Sequence, residues 1–207
     1  SMSGGGGDLT IDYGLVGYGR VRTGFLIDHV GVAEGEWWRI VTSAFLHGGI
    51  IHLAFNMFLL WMIGHQLERI QGPARYLGLV LGSLTAGSLG VMLLDPLALT
   101  VGASGAVFGL MGTTVALQVR RGISPWSTGI GSLLVVNLLF TFARPNISIG
   151  GHLGGLLGGL ALGWAVDEAD RRGLTRALGS AIPVLFTIGW AAATVWAAGR
   201  WWAPLLG

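Results

Sequence analysis

The chain has 207 residues, 52% of them hydrophobic and only 11% charged, less than half the charged share of an average soluble domain, about 25%. It has no cysteine, which excludes disulfides, thiolate nucleophiles and cysteine-ligated metals. The net charge of +2 comes from arginines that fall between apolar segments and not on one face, so no nucleic-acid partner is expected. The remaining class is an all-α polytopic membrane protein.

In chain order, residues 1–8 (SMSGGGGD) read as a tag- or linker-like tail, without the basic-then-apolar opening of a signal peptide. Residues 9–41 read as an outer loop with an interfacial segment: positions 8–36 carry seven charges and no long apolar run. His29 belongs to this polar stretch, and Trp37-Trp38-Arg39, taken alone, is an interfacial anchor. Six spans follow, over 42–64, 76–94, 104–119, 126–142, 150–166 and 180–199, counted against the roughly 20 apolar residues a bilayer requires. Residues 42–166 hold five of them, 167–179 form a cytoplasmic linker, and 180–207 carry an additional C-terminal helix. The third and fifth spans are short, so their ends can lie below the membrane plane. Most of the 37 glycines sit inside the apolar runs, as close helix packing requires.

Arginine placement sets the expected orientation. Arg69, Arg75, Arg120, Arg121, Arg171, Arg172 and Arg176 lie in the loops after the first, third and fifth spans. Those loops are placed in the cytoplasm, and the three odd-numbered spans then run from outside to inside. His47, His52 and Asn56 fall on the first, Ser104 opens the third and His152 opens the fifth. Polar groups at membrane depth are expensive and face a bundle interior or a wet cavity. Here they gather near the outer ends of three parallel helices.

A serine hydroxyl becomes a nucleophile when a neighbouring base takes its proton, and histidine is the usual base. Ser104 and His152 can meet if the third and fifth spans pack closely. Gly105 and Gly109 on one, with Gly151, Gly155 and Gly159 on the other, permit that. His52 and Asn56 are spaced i, i+4 and share a face. With the Ser104 amide they supply donors for an oxyanion. His65, at the end of the first span, suits a helix C-terminus. His47 and His52 lack the spacing and carboxylate partner of a metal site.

TSAFLHGGIIHLAFN, GASGAVFGL and GGHLGGLLGG resemble the rhomboid family of intramembrane serine proteases over about residues 34–167. The resemblance implies a rhomboid-like helical bundle, a Ser104–His152 dyad with no acidic third member, and no cofactor. It implies an oxyanion hole from His52, Asn56 and the Ser104 amide, with His47 as a supporting or water-binding group. Gly102 lets another backbone approach the serine. Phe108 stands where the family often has tyrosine and can stack on His152. Glu68, four residues before Gly72, resembles the pattern closing the first motif helix, and Trp37-Trp38-Arg39 resembles the family's outer-loop motif. The implied reaction is cleavage of transmembrane protein substrates near the outer membrane face, at small side chains.

The family carries these motifs on its second, fourth and sixth helices, so its first helix is expected to be missing here. The C-terminal span is either an extra helix or an occupant of that first position. A catalytically silent relative that binds transmembrane clients is the alternative, although such relatives typically lose the serine or the histidine. A transporter would place charges within the spans, and a soluble hydrolase would need G-x-S-x-G, whereas position 106 is alanine. All-arginine cation usage and compact loops point to a bacterial inner membrane.

Overall fold

A computed structural model of the chain describes residues 2–3, 8–23, 25–145 and 147–202. Most of the tail read over 1–8, and the last residues of the 180–207 segment, lie outside these. The described chain is mostly helical. Five helices of the main bundle are α3 (Ile50–Gln71), α4 (Pro73–Leu94), α5 (Ser104–Arg120), α6 (Ile130–Ala143) and α7 (Ile149–Arg171), followed by α8 (Arg176–Trp202). Before them come the short helices α1 (Leu9–Tyr13) and α2 (Arg39–Thr42) and a small sheet, ordered β1 (Met2–Ser3), β2 (Gly19–Thr23), β3 (Leu26–Val30). The all-α expectation therefore describes the bundle, while the loop over 9–41 folds around an antiparallel β2–β3 hairpin.

Backbone punctuation explains where the helices depart from the expected spans. The apolar run begins at residue 42, yet α3 begins at Ile50, because a turn over Ser43–Phe45 and Gly49 at φ +144° interrupt it. Gly72, at φ +82°, ends α3 and Pro73 opens α4 at once, so a single glycine turns the chain. Such a φ favours glycine, and proline suits a first helical position where the missing N–H costs nothing. α6 starts at Ile130 and not near 126, since Gly129 takes φ +84° and the Gly131 amide bonds back to the Pro125 carbonyl.

Four of six expected spans are long and apolar enough to cross a bilayer: Ile50–Gln71, Pro73–Leu94, Ile149–Arg171 and Ala177–Arg200. Helix α6 is apolar but has 14 residues, and α5 has 17, about 21 and 26 Å of helix. The bundle's outside is greasy: Ile51, Phe58 and Trp61 of α3, Leu139 and Phe142 of α6, and Leu185 and Ile188 of α8 are all exposed. Exposed apolar surface on that scale fits contact with lipid.

Helices α4, α5 and α7 form the centre, and glycine brings them together. A methyl group on Gly155 would strike the Gly105 backbone, one on Gly159 the Gly109 backbone, and one on Gly163 would lie 2.7 Å from the Thr113 carbonyl oxygen. Gly154 is as tight against α4, with the Ala86 carbonyl 2.6 Å from the same point. Thr113 Oγ1 adds a buried 3.0 Å hydrogen bond to the Gly159 carbonyl. Helix α8 lies on α4 and α7: Pro183 meets Gly78, and Trp190 meets Gly158. Its Ala197 and Ala198 join Leu15, Val32 and Ile40 at the base of the outer loop.

Five of the seven arginines expected to set orientation are also structural. Asp167 of α7 pairs with Arg120 (2.6 Å), Arg171 (2.7 Å) and Arg121 (3.4 Å). Glu168 pairs with Arg120 and Arg172, and Arg75 of α4 pairs with Asp170 at 2.9 Å. These carboxylates carry α7 on as helix to Arg171, through the start of the segment read as a linker.

Gly159→Val is expected to lower stability by roughly 1–3 kcal/mol or more through overpacking. Gly189→Ala, with nothing within 4 Å of the added methyl, should leave it unchanged; thermal unfolding in detergent compares the two.

Candidate active site

Ser104 and His152 occupy the first turns of α5 and α7, at the same end of the bundle. Parallel helices in backbone contact bring the two side chains together: Ser104 Oγ lies 2.8 Å from His152 Nε2. His152 is 8% exposed, and Phe108 stacks on its ring at a centroid distance of 4.1 Å and 20° between planes. Both contacts follow the sequence expectation.

The two helix starts differ in one respect. At α7, the Ser148 side chain caps the helix by accepting from the Gly151 amide at 3.1 Å. At α5, Ala103 offers no capping side chain. The first amides of a helix have no partner within it, so the Ser104 N–H has neither an intrahelical acceptor nor a side-chain cap.

His52 and Asn56 reach this place from α3. Together with Ser104, His152 and Gly102 they line one cavity, to which α6 also contributes Asn137, Phe140 and Thr141. The Gly48 amide donates to His52 Nδ1 at 3.3 Å, which turns Nε2 away from α3's own start. Asn56 is buried and donates one N–H to the His52 carbonyl at 3.1 Å. A primary amide has two N–H groups, so one remains for another acceptor. Gly102 takes φ +118°, and a methyl there would stand 2.8 Å from His52 Cε1. Glycine is required at 102 both by conformation and by space.

The supporting residues divide. His47 packs edge-on against His52, with ring centroids 5.2 Å apart. Glu68 is not brought to the site: it lies 16 positions after His52 on the same helix, about 24 Å along the axis. Its carbonyl accepts from the Gly72 amide at 2.8 Å, in the turn to α4. Arg39 is no interfacial anchor. It is 1% exposed and donates to the carbonyls of Ile11 (2.7 Å) and Gly14 (2.8 Å) while pairing with Glu36 at 2.7 Å. Trp37 and Trp38 stay exposed, as expected of the motif.

Sequence reasoning passed over two residues. Asp95, at the end of α4, accepts from the Gly150 amide at 3.2 Å and so holds the start of α7. Thr141 of α6 lies 2.7 Å from His152 Nδ1 through its hydroxyl, fully buried. The available signal was the i, i+4 pair Asn137 and Thr141, two polar residues on one face of an apolar run.

The rhomboid domain family model matches residues 34–168. Over 125 residues the chain is 41% identical to the rhomboid protease GluP of Bacillus subtilis, a stretch covering 59% of this chain and 24% of that protein. It is 39% identical over 149 residues to the rhomboid protein YdcA of the same organism, covering 70% of this chain and 75% of the relative. Human rhomboid-related protein 3 is 39% identical over 84 residues, 40% of this chain and 20% of that protein.

Gly102→Ala should destabilise more than Gly49→Ala, because both residues have positive φ but only Gly102 has His52 against it. The strain at either site is roughly 1–3 kcal/mol, and the excess at Gly102 should shrink in a His52→Ala background. A double-mutant cycle of thermal unfolding measures that difference.

Proposed function

The chain belongs to the rhomboid family, and from that premise we propose that it is an intramembrane serine endopeptidase working through Ser104 and His152. The observation that carries this reading is the 2.8 Å contact between Ser104 Oγ and His152 Nε2 inside a cavity at one end of the bundle. Ser104 attacks the scissile carbonyl while its proton passes to His152 Nε2, which later gives it to the leaving amine. The oxyanion that forms receives hydrogen bonds from His52, from the free N–H of Asn56 and from the uncapped Ser104 amide. Water then attacks the acyl-enzyme, with His152 again the base. His47 supports the His52 ring from its edge.

The substrates are transmembrane proteins, cleaved at small side chains near the outer face of a bacterial plasma membrane. The catalytic unit lies within 42–166, and the segment 180–207 adds a helix. All six helices α3–α8 cross or nearly cross the bilayer, α5 and α6 being the shorter ones. The arginine-rich end faces the cytoplasm, because arginine number and not net charge governs orientation; pairing with Asp167, Glu168 and Asp170 does not weaken that.

Labelling of the purified chain by a fluorophosphonate probe tests the reading. The parent should label, and Ser104→Ala and His152→Ala should not. In cleavage of a transmembrane substrate in vesicles, His52→Ala and Asn56→Ala should each cost about a hundredfold, the usual effect of losing an oxyanion donor. A parent chain that neither labels nor cleaves, yet retains such substrates, would put a client-binding role in place of proteolysis.

A further inference from the structure

An imidazole is a base at Nε2 only in the tautomer that keeps its proton on Nδ1. In serine–histidine–aspartate enzymes a carboxylate enforces that tautomer and orients the ring. The ring hydrogen bonds of His152 among the described residues go instead to Ser104 and to a neutral hydroxyl, Thr141 Oγ1, 2.7 Å from Nδ1. The same hydroxyl lies 2.8 Å from the backbone carbonyl of Asn137, one turn earlier on α6.

These two distances determine where the protons lie. A threonine hydroxyl has one proton, and the Asn137 carbonyl can only accept. If that proton pointed at His152, two oxygens would face each other at 2.8 Å with nothing between them. If it points at Asn137, the Thr141 oxygen becomes an acceptor, and its contact with Nδ1 is a hydrogen bond only when Nδ1 carries the proton. Nε2 is then unprotonated and receives the Ser104 O–H at 2.8 Å. We propose that Thr141 is a positioning residue for His152, the neutral third member of a chain running from the Asn137 carbonyl through Thr141 and His152 to Ser104. This rests on the dyad reading above and adds to it what selects the base-competent tautomer.

Burial explains the choice of a hydroxyl. A carboxylate at this depth would have to be stripped of water, whereas Thr141, 1% exposed, already has its proton placed by its own helix. Phe108 fixes the ring plane by stacking, and Thr141 fixes the rotation within that plane. When Nε2 takes the serine proton, both imidazolium N–H groups have acceptors. Nδ1–H keeps Thr141, and Nε2–H faces the serine oxygen and then the leaving nitrogen.

The test compares Thr141→Val, of similar shape but without a hydroxyl, with Thr141→Ser, which restores it. Fluorophosphonate labelling of the full chain in detergent gives one readout, and ¹⁵N shifts of the His152 ring nitrogens give another that needs no activity. Losing one neutral hydrogen bond should slow labelling by Thr141→Val about tenfold, with Thr141→Ser close to the parent. The ¹⁵N pattern should change from a single Nδ1–H form to mixed tautomers in Thr141→Val alone. Parental labelling and an unchanged Nδ1–H form in Thr141→Val would overturn the proposal, as would equal losses in both variants, which would mean packing. A parent that neither labels nor cleaves a transmembrane substrate defeats the dyad reading, while the ¹⁵N comparison still decides the role of Thr141.

Discussion

Everything at the site depends on the backbone contact between α5 and α7. Gly105 faces Gly155, Gly109 faces Gly159, and Thr113 faces Gly163, so an offset of 50 positions persists from turn to turn. A constant offset means that two parallel helices run side by side without slipping, at a separation no larger residue would permit. Ser104 and His152 stand at the top of this contact. A hydrogen bond between them requires no strained side chain, because helix packing has already set the distance.

Contacts at both ends keep the pair from sliding along its axis. At the far end, Arg120 of α5 is tied to Asp167 and Glu168 of α7, and its carbonyl accepts from Arg171. At the site end, Asp95 holds the Gly150 amide, and the loop entering α5 is clamped by the outer loop. Leu15 and Thr100 exchange backbone hydrogen bonds, Gly17 donates to the Pro96 carbonyl, and Gly102 donates to the Ser43 carbonyl. Arg39 in turn fastens the outer loop by bonding two carbonyls of the segment around α1. A buried cation with this many acceptors is a structural part, and removing its partners would leave a charge without compensation.

Much of this was legible in the sequence because membrane depth makes polar residues conspicuous. Ser104, His152, His52 and Asn56 stood out against apolar surroundings, and the glycine stripes implied that two of the spans could touch. Phe108 was readable through the family resemblance, standing one turn after Ser104 where the family often has tyrosine. The gaps have physical causes. Thr141 sits in a run where threonine passes for a packing residue, and its meaning depends on which way α6 is rotated. Arg39 follows two tryptophans and so reads as an anchor, until the loop folds over it and supplies carbonyls. The starts of α3 and α6 were misplaced because hydropathy does not register a glycine with positive φ. The arginines revealed a charge bias, but their partners on α7 could be assigned only once α5 and α7 were in register.

The functional groups also divide by the kind of support they have. Ser104 and His152, the proposed nucleophile and base, come from α5 and α7, whose neighbours are protein on most sides. His52 and Asn56 come from α3 and Thr141 from α6, helices that show much of their surface to the outside. Distance within the first pair is set by backbone contact, which cannot change without parting two helices. Distances to the second set are held by side chains: a threonine hydroxyl at 2.7 Å from the base, and a glycine at 102 that lets His52 close in. Precision at such a site is therefore unequal by construction. The Ser104–His152 contact is fixed by the core, while the groups proposed to orient the base and receive the oxyanion depend on how closely α3 and α6 remain seated against it.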